Sequence, residues 1–459
     1  MIDSAANQEA LQGWLTRLEQ SAPAIRMSLD SLEPVAREMG FQFDALGLRL
    51  SCSVVVVGGT NGKGSTCAFM ESIALAAGYK TAVYSSPHLL CFEERLRING
   101  ENSTAKDWIE AFTRVDKAQA ACGSSLSYFE FVTLAAVSMV DESPPDLAIF
   151  EIGMGGRLDA VNLLANDAAV LTSVDLDHQA YLGDTREKIG WEKAHIARAG
   201  RPFVVGDPTP PVSVMEVAQA RGALPCMLGR DFSFQGDRQQ WSWNGRQQRR
   251  NALAYPALRG ANQLLNASSA LAAFECLADR LPISQGAVRE GLAKVSLPGR
   301  FQVLPGQPAV VLDVAHNPHA AGVLAANLDQ MGFYPKTIAV VGLLADKDAR
   351  AVFERLHPRV DVWCLADLTD EQAGSRARSA DALRVILQEV LGAATSDKRQ
   401  GLPPVEFFID SSPLKALVRA QSLAEPSDRL VVFGSFLIVA SVWSVAQKIG
   451  QAPHAPHAH

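Results

Sequence analysis

Short apolar runs, each followed by glycine or polar residues, recur along the first half of the chain. They are Val54–Val57, Thr81–Tyr84, Leu147–Phe150 and Ala168–Thr172, and stretches with helical spacing separate them. A wholly apolar run of this length is typical of a parallel strand that is buried on both faces. Strands that alternate with helices predict a doubly wound α/β sheet. Because such sheets bind ligands beyond the carboxyl ends of their strands, the polar residues after each run are the candidate site.

A second α/β pattern occupies the carboxyl-terminal part of the chain. Proline and glycine in Leu297–Arg300 precede this second pattern, and we predict the domain boundary there. We therefore expect two domains, 1–298 and 299–459, with the chemistry in a cleft between them. The strands predicted for the second domain are Ala309–Asp313, Thr337–Gly342, Val362–Leu365 and Leu430–Gly434.

Three further segments have a readable pattern. Helical spacing appears in residues 8–40, and a helix is predicted from Asn262 to Leu277. The polar segment 228–250, in which Trp241 and Trp243 alternate with polar residues, predicts a small β structure. The histidine-containing tail, 452–459, is low in complexity and predicts a frayed end.

Composition narrows the classes of function. The 459 residues are 48% hydrophobic and 20% charged, which is typical of a globular protein. A net charge of −7 gives no basic signal for nucleic acid. The 7 cysteines include no Cys-x-x-Cys pair and predict reduced thiols. With no signal peptide and no apolar run that could span a bilayer, we expect a cytoplasmic monomer without membrane or nucleic-acid partners.

The strongest chemical signal is the turn after the first strand, Gly58-Gly59-Thr60-Asn61-Gly62-Lys63-Gly64-Ser65-Thr66. Glycines let backbone N–H groups converge on phosphate oxygens, and the helix that follows adds positive potential. Lys63 supplies a full charge, and the hydroxyls of Ser65 and Thr66 suit phosphate or Mg²⁺. The glycines are closer together than in the common P-loop, so the sequence predicts a variant phosphate loop.

A carboxylate follows the third strand. Glu151 opens a glycine-rich segment that runs to Ala160. At a strand end that faces the phosphate loop, a carboxylate can hold Mg²⁺, although a helix cap followed by a plain turn remains open. Farther along, His178 and Lys193 follow the fourth strand. Taken alone, each is more typical of a surface residue than of a site.

Together these segments resemble the Mur ligase superfamily, and within it the folylpolyglutamate synthase and dihydrofolate synthase branch. Gly59–Ser65 is similar to the ATP loop of that branch, and Phe150–Ala160 to its Glu-Val-Gly-Leu-Gly-Gly-Arg-Leu-Asp-Ala segment. In four places the chain differs from the branch: Ser127 and Val161 replace threonine, His195 replaces a small residue, and Ser28–Leu32 lacks the arginine of the branch's Gly-Leu-x-Arg stretch. Further similar segments are Ser85–Leu89, Tyr128–Phe131, Asn262–Gln263, Leu297–Arg300, Asp313–Pro318, Lys347–Asp348 and Gly434–Phe436.

The resemblance implies a P-loop-containing, Mur-ligase-like first domain and a smaller Rossmann-like second domain that binds glutamate. It also implies roles for residues of this chain. ATP would be bound by Thr60, Asn61, Gly62, Lys63, Gly64, Ser65, Asn262, Arg300 and Asp313. Two Mg²⁺ ions would be held by Ser86, Glu151 and His178, and Lys193 would be carbamylated by CO₂. The pterin would contact Ser127, Tyr128, Phe129, Glu130, Leu158, Asp159 and Ala160, and glutamate would lie near His316 and Ser435. Catalysis would rest on Lys63, His178 and Lys193.

The activity implied by the resemblance is ATP-dependent joining of L-glutamate to dihydropteroate and to tetrahydrofolate glutamates, with an acyl phosphate intermediate. Three alternatives remain open at this point. The chain could act on folates only, as a folylpolyglutamate synthase, or it could be a peptidoglycan-type Mur ligase. It could also be a P-loop nucleotide switch, although the guanine-reading Asn-Lys-x-Asp motif is absent from the sequence.

Overall fold

The computed structural model describes residues 2–21, 28–237, 239–369, 373–394 and 405–451. The chain divides into two compact units, the first of residues 1–257 and 263–296 and the second of 258–262 and 297–459. No helix within the described ranges combines the length and the apolarity needed to cross a membrane. The frayed tail predicted for 452–459 lies outside the described residues.

Thirteen strands are described in the first unit. They are β1 (Phe43–Asp44), β2 (Gly47–Leu48), β3 (Ser53–Gly58), β4 (Thr81–Tyr84), β5 (Leu96–Ile98), β6 (Glu101–Asn102), β7 (Leu147–Glu151), β8 (Ala168–Leu171), β9 (Pro202–Val205), β10 (Leu224–Met227), β11 (Ser233–Gly236), β12 (Gln240–Asn244) and β13 (Arg249–Ala254). Its described helices are α1 (Ile2–Ser21), α2 (Leu32–Glu38), α3 (Lys63–Ala76), α4 (Ala105–Cys122), α5 (Tyr128–Glu142), α6 (Gln179–Leu182), α7 (Arg186–Ala194), α8 (Val212–Ala220), α9 (Gln263–Cys276) and α10 (Gln285–Lys294), with 3₁₀ turns at Phe92–Arg95 and Ala160–Leu163.

The main sheet of the first unit has the order β10-β9-β8-β3-β7-β4-β5-β6 among the described residues. Its strands are parallel from β10 to β4, and only the pairings of β4 with β5 and of β5 with β6 are antiparallel. Strand β3 lies in the middle because its valines have no polar face to offer solvent. Val54 and Val56 belong to the core formed with α1, α4 and α5, and α3 also packs against β3. The doubly wound sheet predicted from the sequence is confirmed.

The polar segment 228–250 forms the small antiparallel sheet β11-β12-β13, as predicted. Trp241 and Trp243 are buried, with a register shift between them. Helix α3 begins at Lys63, because the phosphate loop turns directly into the helix. Strands β5, β6, β9 and β10 were not predicted, and they extend the sheet on both sides.

The second unit contains a six-stranded sheet among its described residues, in the order β14-β15-β19-β16-β17-β18. Only β14 is antiparallel to its neighbour. The strands are β14 (Gln302–Leu304), β15 (Ala309–Leu312), β16 (Thr337–Val341), β17 (Val362–Ala366), β18 (Glu406–Asp410) and β19 (Arg429–Phe433). The described helices are α11 (Pro318–Gln330), α12 (Ala349–Leu356), α13 (Ala380–Ala394), α14 (Pro413–Leu423) and α15 (Phe436–Gln451), with 3₁₀ turns at His357–Arg359 and Gly374–Arg376. A parallel sheet with flanking helices agrees with the Rossmann-like domain predicted for this part.

Candidate active site

The phosphate loop connects the end of β3 at Gly58 to the start of α3 at Lys63. Gly62 caps the helix with φ +87°, a left-handed conformation that favours glycine. The side chain of Lys63 folds back over the loop, and its Nζ donates to the carbonyl oxygens of Gly59 at 3.1 Å and Thr60 at 3.2 Å. The loop therefore carries its cation at the helix N-terminus, where an anion is also favoured by the helix dipole.

Residues that follow β8 hold this loop in place. The Thr172 hydroxyl donates to the carbonyl of Asn61 at 2.6 Å, and Ser173 Oγ accepts the Asn61 N–H at 3.1 Å. The Thr60 hydroxyl accepts the N–H of Asp175 at 2.9 Å. Sequence analysis assigned no role to Thr172 or Ser173. Their only signal was their place directly after a buried strand, in the middle of the sheet.

Two glycines of the loop have no room for a side chain. A Cβ at Gly59, where φ is +143°, would lie 2.0 Å from Thr172 Oγ1. A Cβ at Gly62 would lie 2.4 Å from Oδ1 of Asn266, a residue of α9 that sequence analysis also missed. The close backbone packing that the motif needs is thus provided by neighbours distant in the sequence.

Glu151 is the last residue of β7, and it lies beside Val57 of β3 in the parallel register. Its side chain is buried. A single carboxylate next to a phosphate loop suits Mg²⁺, which is usually bound by one or two carboxylates together with substrate phosphates. The described residues contain no group of three or more His, Cys, Asp or Glu side chains that could hold a metal ion by themselves. The donors present therefore fit an ion that arrives with a nucleotide.

The other two predicted metal ligands lie in loops after neighbouring strands. His178 has φ +50° and precedes α6, and its Nε2 lies 4.0 Å from Oδ2 of Asp177. Ser86 follows β4, is half-buried and precedes a cis proline. Strand order places β4, β7, β3 and β8 side by side, so Ser86, Glu151 and His178 follow strands at the same edge of the sheet.

Lys193 reaches the phosphate loop from α7. Its Nζ is buried and donates to the same Gly59 carbonyl oxygen that accepts from Lys63, at 3.1 Å. Burial, together with the charge of Lys63, lowers the pKa of Lys193 to about 7, against the fields of Asp177 and Asp159. Two lysine amines on one carbonyl oxygen concentrate positive potential at the loop.

Asp159 lies in the glycine-rich segment after β7. Its carboxylate oxygens accept from the backbone N–H groups of Met154 at 2.8 Å and Val161 at 3.0 Å. Burial raises the pKa of Asp159 to about 7, in spite of these hydrogen bonds. The neighbouring predicted residues Leu158 and Ala160 are half-buried and buried, respectively.

The predicted pterin residues of α5 occupy its first turn. Ser127 and Glu130 form a capping box, in which Glu130 Oε2 accepts from the Ser127 N–H at 2.7 Å and from its hydroxyl at 2.6 Å. Phe129 packs on Gly153, where a Cβ would lie 2.5 Å from the ring. Tyr128 lies next to the Arg95 guanidinium, 5.7 Å from the ring centroid. Because the hydrogen bonds of the cap occupy Ser127 and Glu130, Tyr128 and Phe129 are the residues of this turn that can contact a ligand.

Two arginines connect segments around α7, and neither connection was predicted from the sequence. Arg157 forms a bidentate ion pair with Glu192, the residue before Lys193. Arg198 is buried and donates to carbonyl oxygens of three segments: Leu46 at 2.9 Å, Leu164 at 3.1 Å and His195 at 3.2 Å. Burial lowers the pKa of Arg198 to about 10.

His195, which departs from the family pattern, ends α7. Its Nδ1 lies 2.7 Å from the Trp191 carbonyl oxygen, and its ring stacks edgewise on the Trp191 ring at 4.3 Å. The imidazole is thus accommodated by its own helix, two residues beyond Lys193.

The second unit carries a separate group of predicted residues. Asp313 follows β15 and accepts from the N–H groups of Phe301 at 2.9 Å and Ala315 at 2.7 Å. Burial raises the pKa of Asp313 to about 6, although the charge of Arg300 opposes the shift. The Arg300 guanidinium lies 4.9 Å from the Phe436 ring centroid, and the His316 ring lies 6.5 Å from the same ring.

Ser435 and Asn262 complete that group. Ser435 is buried, and its hydroxyl accepts from the N–H of Ile438 in the first turn of α15. Asn262 belongs to the short segment 258–262 that clusters with the second unit, although the helix it precedes belongs to the first. Each unit therefore holds part of the predicted set.

Comparison with known proteins identifies the family of this chain. Residues 299–436 match the family described as Mur ligase, glutamate ligase domain. Over 459 aligned residues, the chain is 35% identical to the dihydrofolate synthase/folylpolyglutamate synthase of Haemophilus influenzae, covering 95% of this chain and 98% of the relative.

Solved structures give the same result. The E. coli FolC complex with DHPP and ADP superposes with a TM-score of 0.85 at 35% identity, over 95% of this chain and 98% of that chain. A bifunctional folylpolyglutamate synthase/dihydrofolate synthase with Mn, AMPPNP and L-glutamate bound gives a TM-score of 0.82 at 38% identity, over 95% and 97%. The resemblance drawn from the motifs is confirmed: the chain belongs to the dihydrofolate synthase/folylpolyglutamate synthase family of Mur ligases.

Proposed function

We propose that this chain is an ATP-dependent ligase that joins L-glutamate to dihydropteroate, making dihydrofolate, and to tetrahydrofolate glutamates. The observation that carries the proposal is the phosphate loop with Lys63 and Lys193 on one carbonyl oxygen and Glu151 at the end of the neighbouring strand. Family membership over nearly the whole chain supports the choice of substrates.

The chemistry follows from the poor electrophilicity of a carboxylate. The pteroate or folate carboxylate attacks the γ-phosphorus of ATP, ADP leaves, and an acyl phosphate forms. The amine of L-glutamate then attacks that carbonyl, and phosphate leaves as the amide forms. Because two anions must approach in the first step, Lys63 and the backbone N–H groups of the loop lower the barrier by neutralising charge. We assign ATP contacts also to Asn262, Arg300 and Asp313.

We propose that two Mg²⁺ ions are held by Ser86, Glu151 and His178. When bound, the ions screen the phosphate charge and polarise the transferring phosphoryl group. Glu151 supplies the carboxylate oxygen that such an ion prefers, and Ser86 supplies a hydroxyl oxygen. His178 is held next to Asp177, which can orient its imidazole.

Lys193 is the residue we propose to be carbamylated. Its amine nitrogen would attack CO₂ and release a proton, which replaces a buried cation by an anion. The support is its position: the amine is buried beside Lys63 and hydrogen-bonds to a neutral carbonyl oxygen. A ¹³C resonance near that of a carbamate, present in ¹³C-bicarbonate and absent from a Lys193→Arg variant, would support this; its absence from the parent protein would refute it.

We assign the remaining substrate-binding roles to the two parts of the chain separately. We propose that residues 1–298 bind ATP and the pterin, the latter through Tyr128, Phe129 and Asp159 and the residues beside them. We propose that residues 299–459 bind glutamate near His316 and Ser435, in agreement with the description of the family that matches 299–436. We also propose that the protein works in the cytoplasm as a monomer.

The deciding experiment measures ADP release with dihydropteroate or with tetrahydrofolate, each with and without L-glutamate. We expect release that depends on glutamate with both acceptors. Glutamate-dependent ADP release with tetrahydrofolate but not with dihydropteroate would show that the chain is a folylpolyglutamate synthase only. Activity only with a UDP-linked peptidoglycan precursor, or glutamate-independent hydrolysis of GTP, would overturn it.

A further inference from the structure

Two cysteines that are far apart in the sequence meet at one edge of the main sheet. Cys226 lies in β10, the outermost strand on that side, and Cys276 is the last residue of α9. Their thiols are hydrogen-bonded to each other. Because all seven cysteines of the chain are free thiols, this pair is a dithiol whose sulfur atoms are already neighbours.

A third element holds the two cysteine segments together. Arg246 lies in the turn between β12 and β13, and its backbone N–H donates to Glu275 Oε2 at 2.9 Å. Its guanidinium Nη2 donates to the carbonyl oxygen of Pro225 at 2.8 Å. Glu275 and Pro225 directly precede Cys276 and Cys226. The approach of the two cysteines is therefore fixed by hydrogen bonds that do not involve sulfur.

The strand that carries Cys226 is also held on its other side. Asp231 Oδ2 accepts the N–H of Met227, the residue after Cys226, at 2.8 Å. Asp231 Oδ1 lies 2.9 Å from Arg246 Nη2. The same guanidinium thus connects to both neighbours of Cys226, directly and through a carboxylate, and its positive charge stays close to the dithiol.

The two thiols differ in access and in acidity. Cys226 is 1% exposed, whereas Cys276 is half-buried and can be reached by a small reagent. The hydrogen bond from Cys226 lowers the pKa of Cys276, and the charge of Arg246 acts in the same direction against burial and the charge of Glu275. The same hydrogen bond, together with burial, raises the pKa of Cys226. Since the thiolate is the nucleophile in thiol–disulfide exchange, the accessible residue is also the reactive one.

We propose that Cys226 and Cys276 form a reversible disulfide by exchange with a small disulfide such as oxidised glutathione. The Cys276 thiolate attacks one sulfur of the reagent, the S–S bond of the reagent breaks, and the first small thiolate leaves and takes up a proton. Cys226 then loses its proton, attacks Sγ of Cys276 in the mixed disulfide and expels the second small thiolate, which is protonated in turn. Two protein thiols are oxidised, and one small disulfide is reduced to two thiols.

The disulfide would fasten α9 to the edge of the sheet. The other end of α9 carries Asn266, whose Oδ1 packs so closely on Gly62 that a Cβ there would lie 2.4 Å away. The covalent bond would therefore anchor the helix that supports the phosphate loop. It would also close a loop of about 50 residues, which restricts the unfolded chain and stabilises the folded one.

The test equilibrates the full chain in mixtures of oxidised and reduced glutathione near neutral pH. The reaction is stopped with acid, free thiols are alkylated, and mass spectrometry of the digest measures the peptides joined through Cys226 and Cys276. We expect the joined peptides to increase with the fraction of oxidised glutathione and to disappear with dithiothreitol. The melting temperature of the oxidised chain should rise by about 2 °C or more.

Two alanine variants separate this pair from general thiol oxidation. Cys276→Ala should abolish both the joined peptides and the rise in melting temperature. Cys122→Ala is the matched control, because Cys122 is also half-buried and is also the last residue of a helix, α4. It should leave both readouts unchanged. If Cys276→Ala fails to fold, the joined peptides of the parent chain decide the question by themselves.

Arg246→Gln tests how the pair is held. It removes the charge beside Cys276 and the hydrogen bond to Pro225, so the disulfide should form at least about threefold more slowly. An unchanged rate would remove Arg246 from the proposal.

Three results would overturn the disulfide itself. They are no joined peptides from the folded chain at the highest fraction of oxidised glutathione, joined peptides that form only in denaturant, and a melting temperature that does not rise on oxidation. None of these measurements uses ligase activity, so they test the dithiol independently of the proposed function.

Discussion

The carboxyl edges of the two sheets hold their charged residues in different ways. In the first unit Lys193 and Asp159 are buried, and burial moves the pKa of each to about 7. In the second unit burial also raises the pKa of Asp313, to about 6, but the neighbouring Arg300 is only half-buried and its charge opposes the shift. The first edge therefore buries an amine as well as a carboxylate, whereas the second sets its carboxylate beside a half-buried arginine.

This contrast explains where side chains of distant segments are needed. The phosphate loop depends on Thr172, Ser173 and Asn266, none of which is near it in sequence. The Asp313 turn depends on residues within 12 positions of it. The phosphate loop is strained and rich in charge, so it requires support from several elements, whereas residues near in sequence suffice to hold the Asp313 turn.

The largest expected effect is at Lys63. Lys63→Ala should reduce glutamate-dependent ADP release by at least about 10³-fold, because the developing phosphoryl charge loses its cation. The melting temperature should change little, since Lys63 Nζ donates only to loop carbonyls. Lys80→Ala, at an exposed lysine after α3, is the control and should be fully active. Near-normal turnover by a folded Lys63→Ala protein would refute the role assigned to this residue.

Gly59→Ala tests the packing of the loop. Its Cβ would lie 2.0 Å from Thr172 Oγ1, so we expect ADP binding to weaken by about 10²-fold and unfolding free energy to fall by about 3 kcal/mol. Gly78→Ala is the matched control, because φ there is also positive, +87°, but nothing lies within 4 Å. Its cost should be about 1 kcal/mol, without loss of ADP binding. Equal effects of the two variants, by calorimetry and denaturant titration, would contradict the packing argument.

Arg300→Met tests the second edge. The guanidinium touches the Phe436 ring, so the change should cost less than about 1 kcal/mol of stability. If Arg300 contacts ATP as proposed, kcat/KM for ATP should fall about tenfold. Arg355→Met, at an exposed arginine of α12, should leave both quantities unchanged. An unaltered kcat/KM for ATP would remove Arg300 from the proposed nucleotide site.

The smallest effect concerns the stability of the ligand-free protein. Lys193→Met should raise the unfolding free energy at pH 7 by at least about 1 kcal/mol while it lowers activity, because a buried amine no longer has to be accommodated. The pKa of Lys193 is about 7 in the folded protein against 10.5 for a free lysine, so the parent loses stability as the pH falls from about 10.5 to about 7.

The difference between Lys193→Met and the parent should therefore be greatest at and below pH 7 and vanish above pH 10.5. Denaturant titrations in CO₂-free buffer measure this directly, since a carbamate would alter the charge. Lys188→Met, at an exposed lysine of the same helix, should show no such pH dependence. A stability difference that does not change with pH would show that the charge of Lys193 is not the cause.

The sequence allowed the strands that carry the site to be predicted closely. Strand β4 has its predicted bounds, β7 is one residue longer at its end, and β3 is one residue longer at each end, because unbroken apolar runs have few alternatives. Strands β9 and β18 were missed. Their segments mix apolar with charged or proline residues, so no period stands out over four or five positions.

The parts of the candidate site that are formed by consecutive residues could be predicted from the sequence. The phosphate loop and Glu151 fall in that class, since glycine, lysine and a strand-end carboxylate each have a recognisable position. Asn266, Arg157 and Arg198 fall outside it. Each has at least one partner 35 or more positions away, such as Glu192 for Arg157 and Asn162 for Arg198, and one sequence contains no sign of such pairings.

The buried guanidinium of Arg198 has a consequence for how this protein can change over time. It joins Leu46, Leu164 and the end of α7 through hydrogen bonds of fixed reach. A one-residue insertion or deletion in any of these three segments would move a carbonyl group out of range and leave a buried charge unsatisfied. Length variation among related chains should therefore be absent from these three segments.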